Sequence, residues 1–147
     1  CAAIKNIFSM AIGSASGLNK IKTKDNLHLN TSATLVKQSI YEMEVFAEFL
    51  NGKKETVKGL AGLGDLYVSA AGGRNSKMGS LIGEGMLFSE AKKNRMPNVT
   101  IEGADLIFEI GEKVKEDFDD KRLPLMIGMI NAILENKKLN IKWENFN

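Results

Sequence analysis

The sequence predicts an all-α fold, a bundle-like helical domain, and three observations carry that prediction. Apolar residues recur at helical spacing: Ile4, Phe8, Ala11, Ala15 and Leu18 form one stripe, and Leu35, Val36, Ile40, Met43, Phe46, Ala47 and Leu50 form another. The breaks between such stretches are glycine-rich, with 14 Gly against 2 Pro in the chain. No pair of segments alternates apolar and polar residues in the way that pairing strands do. The 147 residues, 44% hydrophobic and 26% charged, make one domain with enough apolar surface to offset chain entropy.

The first helix runs from about Ile4 to Gly17 and Asn19, residues that suit a helix end. Lys5, Ser9, Ile12 and Ser16 form a neighbouring stripe on another of its faces. Residues 19–30 read as a polar, lysine-bearing loop. Thr31 or Ser32 caps the second helix, and Asn51-Gly52 stops it. Residues 53–62 form a short helix with Val57 and Leu60 inward, overlapping the cluster Gly59-Leu60-Ala61-Gly62-Leu63-Gly64-Asp65-Leu66.

Gly72-Gly73-Arg74-Asn75-Ser76 is a second break, followed by a helix through Met78, Leu81 and Ile82 that ends at Gly83 and Gly85. Ser89 caps a helix to Arg95, which Met96-Pro97 closes. Thr100-Ile101-Glu102-Gly103 opens a helix with Ala104, Ile107, Phe108, Gly111 and Val114 inward. Pro124 begins the last helix, whose apolar residues are Leu125, Met126, Met129, Ile130, Ile133 and Leu134. The chain divides into a helical domain, 1–135, and a polar tail, 136–147, with Ile141, Trp143 and Phe146 as docking points.

Composition excludes several functions. Lys and Arg number 20 against 18 Asp and Glu, a net charge of +2 that gives no field for nucleic acid. One cysteine cannot form an internal disulfide, and Cys1 with His28 cannot build a usual zinc site. His28 reads as a loop or cap histidine. No apolar run approaches the roughly 18 residues of a membrane span, and the apolar start carries Lys5 without the basic flank of a signal peptide. The expected location is therefore the cytoplasm, where the sequons at Asn30 and Asn98 are chance.

Gly62-Leu63-Gly64 and Gly83-Glu84-Gly85 lack the further glycine and the preceding strand of a dinucleotide fingerprint, and there is no Walker A pattern. Ser9, Ser69 and Ser76 lack the setting of a nucleophilic serine. The chain starts at Cys1 rather than Met, so we expect it to be a piece of something longer.

Four places carry chemistry, each with a plainer reading beside it. Lys5, in an otherwise apolar helix, is either a snorkelling surface residue or a general base. Burial and a nearby cation would help it release a proton, and a nearby carboxylate would oppose that. Asp65, after three glycines, is a helix N-cap, a carboxylate aimed into a cleft, or both. Gly72-Gly73-Arg74-Asn75 frees backbone N–H groups at a helix start beside a guanidinium; it is either an anion site or a solvated turn. Glu102 either meets the dipole of its own helix or contacts a ribose or an amide.

In this order the segments Cys1-Ala2-Ala3-Ile4-Lys5-Asn6, Gly59 to Leu66, Gly73-Arg74-Asn75, Glu102-Gly103 and Leu123-Pro124-Leu125 resemble the C-terminal domain of NAD(P)-dependent glycerol-3-phosphate dehydrogenase. The resemblance runs to about Leu134. It implies an all-helical domain of the 6-phosphogluconate-dehydrogenase C-terminal type, preceded by a Rossmann domain that binds most of the NAD or NADP. It also implies a cytoplasmic homodimer that interconverts glycerol 3-phosphate and dihydroxyacetone phosphate.

By the same resemblance Lys5 is the general acid/base at the C2 oxygen, and Asp65 positions Lys5 and the substrate hydroxyls. Gly73, Arg74 and Asn75 hold the phosphate. Arg74, Thr100 and Glu102 meet the coenzyme. The family often has a valine where Thr100 stands, a lysine at Ser32 and an arginine near Gln38.

On this reading the chain alone should be inactive. The alternatives are a free-standing helical dimerisation or interaction module and a dehydrogenase for a different 2-hydroxy compound. In the module, Met126 and Met129 would face a partner rather than fill the core.

Overall fold

A computed structural model describes residues 2–22 and 28–147, so Cys1 and residues 23–27 of the lysine-bearing loop lie outside the described residues, as does the side chain of His28. Among the described residues eight α-helices follow one another: α1 (Lys5–Lys22), α2 (His28–Phe49), α3 (Lys54–Lys58), α4 (Asp65–Ala70), α5 (Arg74–Gly83), α6 (Phe88–Asn94), α7 (Glu102–Asp117) and α8 (Pro124–Leu134). A π-helical turn, Leu60–Gly64, joins α3 to α4, and a 3-10 turn, Trp143–Asn145, lies in the tail. No strand occurs among the described residues, so the expected all-α class holds for them.

α1 is the central helix. Every residue from Ile7 to Ala15 is buried, so both stripes read from the sequence face protein. It packs against α2, α4, α5, α7 and α8. It also runs past its expected end to Lys22. Gly17 does not cap it: a Cβ there would overlap the Ser80 carbonyl oxygen of α5. Asn19 bonds within the helix, its Nδ2 donating to the Ala15 carbonyl at 2.7 Å.

The same close approach recurs at Gly13 of α1 and at Gly79 and Gly83 of α5, each facing backbone of the other helix. Glycines four apart on both helices bring the two backbones into contact, which any larger residue would prevent. The sequence made Gly17 a terminator because spacing alone does not separate a glycine that ends a helix from one that lets two helices touch.

α2 begins at His28, ahead of the expected cap at Thr31 or Ser32. Leu50 is exposed, against expectation, because the helix has ended at Phe49 and Asn51 turns the chain away at φ 58°. Leu60 was expected inward and is 87% exposed; it starts the π-helical turn after α3 has ended, while Val57 is fully buried as expected. The N-cap of α6 is Leu87, not Ser89. Ser89 instead pairs with Asn136, which accepts the Ser89 N–H at 3.0 Å and donates to its hydroxyl at 2.9 Å.

Phe108 is half exposed rather than inward, since Ala104, Ile107, Gly111 and Val114 fill the buried face of α7. α8 is the most buried of the later helices, and Met126 and Met129 fill core. Its first turn is capped from outside: the buried Glu42 carboxylate accepts the Leu125 and Met126 N–H groups at 2.7 Å each, and the Gln38 amide at 2.9 Å. The tail packs back, with Ile141 buried and the Asn147 N–H donating to Gln38 Oε1 at 3.0 Å.

Candidate active site

Three helices begin beside one another. α1 starts at Lys5, α5 at Arg74 and α7 at Glu102, so each offers a charged residue at its first position. In the first turns of α1 and α7 the N–H groups of Asn6, Ile7 and Ala104 donate to the carbonyls of Ala3, Ile4 and Ile101, and that of Gly103 to Asn75 Oδ1. α4 begins nearby at Asp65, the residue expected to be its cap: Gly64 is the N-cap instead, and the Asp65 side chain is not a cap. Instead Lys5 Nζ donates to Asp65 Oδ2 in a short ion pair between residues sixty apart in sequence.

The glycine cluster explains how Asp65 reaches Lys5. The π-helical turn brings Gly62 against the Val57 carbonyl so closely that a Cβ would overlap it. Ahead of α5, Gly72 adopts φ +144°, a region side-chain-bearing residues rarely enter, and Gly73 is extended as the N-cap. This places Arg74 and Asn75 on the first turn of α5, facing the start of α7.

Arg74 forms a short ion pair with Glu102 Oε1, and Asn75 Nδ2 donates to Glu102 Oε2 at 3.1 Å. Burial works against ionisation of Glu102. Its own backbone N–H, Arg74 and Asn75 outweigh that and hold the carboxyl below its usual range.

Lys5, Gly73, Arg74, Asn75 and Glu102 line one open cavity of about 370 Å³. Asp65 reaches it through Lys5, and Thr100 is exposed two residues before Glu102. Asn6 and Ser69 also line the cavity and were not singled out from sequence. A signal existed for each: Asn6 adjoins Lys5, and Ser69 follows Asp65 by one helical turn.

Two cations and two carboxylates meet here in two pairs, so an incoming anion must compete with Glu102 for Arg74. Such a site can hold a phosphate at a helix start and exchange a proton with a bound hydroxyl or carbonyl.

A larger groove of about 620 Å³ lies elsewhere, between Phe88, Phe108, Ile133 and Leu134, and no carboxylate lines it. Among the described residues no group of His, Cys, Asp and Glu could hold a metal, and no helix is long and apolar enough to cross a membrane.

The sequence profile of the family described as NAD-dependent glycerol-3-phosphate dehydrogenase C-terminus matches residues 1–143. The chain is 32% identical over 139 residues to a glycerol-3-phosphate dehydrogenase [NAD(P)+] of Chlamydia pneumoniae, covering 93% of this chain and 38% of that protein. It is 32% identical over 121 residues to an NADP(+)-dependent glycerol-3-phosphate dehydrogenase of Archaeoglobus fulgidus, covering 78% of this chain and 35% of that one. A crystal structure of glycerol-3-phosphate dehydrogenase from Coxiella burnetii superposes with a TM-score of 0.76 at 29% identity, over 94% of this chain and 40% of that one. The chain thus spans well under half the length of the relatives it matches.

Proposed function

Because the chain belongs to the NAD-dependent glycerol-3-phosphate dehydrogenase C-terminus family, we propose that it supplies the substrate-binding and proton-transferring half of an enzyme interconverting sn-glycerol 3-phosphate and dihydroxyacetone phosphate. The observation that carries this reading is the Lys5–Asp65 pair at the cavity that Arg74, Asn75 and Glu102 also line.

In the oxidising direction Lys5, as the neutral amine, takes the proton of the C2 hydroxyl; in the reducing direction its ammonium gives one to the ketone oxygen. Asp65 holds the Lys5 amino group in place and so positions it at the substrate hydroxyls. Arg74 and Asn75 take the phosphate through their backbone N–H groups at the α5 start and the Arg74 fork, with Gly73 as the extended N-cap whose own N–H donates to Ser69. One cation about 4 Å from a phosphate charge is worth at most about 4 kcal/mol at an effective dielectric of 20. Arg74 is largely exposed, so its share is well below that.

A nicotinamide coenzyme fits one rim of this cavity. Arg74 and Glu102 of its lining offer a guanidinium and a carboxylate to amide and ribose groups; Thr100, expected to join them, is not among the lining residues, and no glycine-rich phosphate cradle accompanies them. When bound, NAD or NADP supplies the hydride exchange at C2. Holding the rest of the coenzyme falls to a Rossmann domain as partner of this chain, within a cytoplasmic homodimer.

The test joins the chain to a dinucleotide-binding domain of the same family and follows NADH oxidation with dihydroxyacetone phosphate. The joined protein turns over, the 147-residue chain alone does not, and Lys5→Ala lowers turnover by about 10² or more. Normal turnover in Lys5→Ala sinks the assignment of Lys5. A second reading, a helical interaction module without catalysis, is favoured by the exposed apolar side chains of Leu60, Leu63, Tyr67 and Val68. It predicts self-association of the chain with no turnover in the joined protein.

A further inference from the structure

Both polar ends of the Asn75 side chain are engaged inside the protein. Its Oδ1 accepts the Gly103 N–H at 2.8 Å in a buried contact, and its Nδ2 donates to Glu102 Oε2 at 3.1 Å. The residue is only 7% exposed, which leaves the amide little room for another partner. Its two partners are consecutive residues in the first turn of α7. Asn75 therefore does for α7 what an N-cap does for its own helix, but reaches it from α5.

Gly103 is what lets the helices come this close. A Cβ there would lie 2.7 Å from the Asn6 carbonyl oxygen and 3.0 Å from Asn75 Oδ1. The starts of α1, α5 and α7 thus meet at Asn6, Asn75 and Gly103. Each of these directly follows a charged residue of the cavity: Lys5, Arg74 and Glu102 respectively. A shift of α7 against α5 would move Glu102 relative to Arg74.

We propose that the Asn75 side chain is a positioning residue. It ties α7 to α5, sets Glu102 against Arg74, and leaves anion contact in the cavity to Arg74 and the backbone N–H groups of α5. The kinetic consequence rests on the dehydrogenase reading above; the tether itself does not.

Two variants separate the bonds. Asn75→Ala removes both, whereas Asn75→Asp keeps the acceptor for Gly103 and puts a like charge beside Glu102. In the 147-residue chain, amide hydrogen exchange at Gly103 should be faster by roughly tenfold or more in Asn75→Ala and near wild type in Asn75→Asp. In the protein joined to a dinucleotide-binding domain, both variants should raise the coenzyme KM by about tenfold while kcat changes little.

Unchanged Gly103 exchange in Asn75→Ala, with the other helices still protected, overturns the tether. A rise confined to the KM of the phosphorylated substrate overturns it too, because the side chain would then be a direct phosphate ligand. Should Asn75→Ala unfold, Asn75→Asp decides: it must keep Gly103 protected and lose coenzyme affinity, and any other result counts against the proposal. If the joined protein has no dehydrogenase activity, the functional reading fails while Gly103 exchange still decides the tether.

Discussion

Gly79 of α5 lies directly against the Met10 carbonyl oxygen of α1, with no space between them for a Cβ. The contact sits in the middle of the crossing that sets where α5 begins, and hence where Arg74 and Asn75 stand relative to Lys5. A methyl group here meets backbone rather than a flexible side chain, so the helices have to separate. Gly79→Ala should destabilise the chain by about 3 kcal/mol, the upper end of the usual cost of overpacking. Gly59→Ala is the control. Its nearest neighbour would be 3.6 Å away, an ordinary contact, so its effect should stay within about 0.5 kcal/mol. Urea denaturation of both variants checks this; equal stabilities would show that the crossing is not tight.

Glu42 gives a pH dependence whose sign runs against the usual behaviour of a hydrogen-bonded carboxylate. Burial pushes its pKa from 4.5 up to about 7, although Gln38 and the N–H groups of Met126 and Leu125 pull the other way. The folded state thus binds this proton more tightly than the unfolded state does. The resulting stability is fully present below about pH 4.5 and is lost as pH rises through about 7. A gap of this size corresponds to a change on the order of 3 kcal/mol. Between pH 5 and 8 the wild type should lose stability relative to Glu42→Gln, whose side chain does not titrate. The variant loses one acceptor at the start of α8 at every pH, so the comparison is between slopes. Parallel pH profiles would show that Glu42 binds its proton equally in both states.

The helices were legible in sequence because apolar spacing reports burial directly. Ile107 and Val114 on α7, and Met126 and Met129 on α8, are inside for the reason their spacing gave. Errors fell where a helix ended within a periodic run, as at Leu50 and Leu60, at the edge of an apolar stripe, as at Phe108, and at glycines. Gly17 punctuates a sequence, but in the fold its missing Cβ lets α5 approach. Of the site, Lys5, Asp65, Arg74 and Glu102 stood out because charge at an apolar or glycine-rich helix start is conspicuous. Their pairing was not legible, since Lys5 meets Asp65 and Arg74 meets Glu102 only through tertiary packing. The tie between Asn75 and Gly103 left no local trace either: neither residue marks the other across 28 positions of chain.

Arg74 is held by a carboxylate in the same cavity, so anion binding should improve when that carboxylate is neutralised. Glu102→Gln leaves Arg74 without its counter-charge. The 147-residue chain carrying it should bind inorganic phosphate several-fold more tightly than the wild type, an effect that fades as salt is raised. Arg74→Ala should remove most of the binding. Isothermal titration at two ionic strengths measures both. Weaker phosphate binding by Glu102→Gln would mean that the carboxylate orients Arg74 for the anion rather than competing with it.

Asp65 touches Lys5, and Lys5 is the only cation it pairs with among the described residues, so the two should act as a unit. In the joined enzyme Lys5→Ala should lower kcat by about 10² to 10⁴, the range for loss of a positioned proton donor and acceptor. Lys5→Arg should not restore it, because a guanidinium keeps its proton throughout the accessible pH range. Asp65→Asn retains the shape but removes the charge that holds the ammonium, and should cost less than Lys5→Ala. If Asp65 works through Lys5, the double variant should be scarcely slower than Lys5→Ala alone, since the carboxylate then has nothing left to position. Fully additive losses would instead assign Asp65 a separate contact with the substrate. Steady-state kcat for the wild type and the four variants, measured in both reaction directions, separates these outcomes.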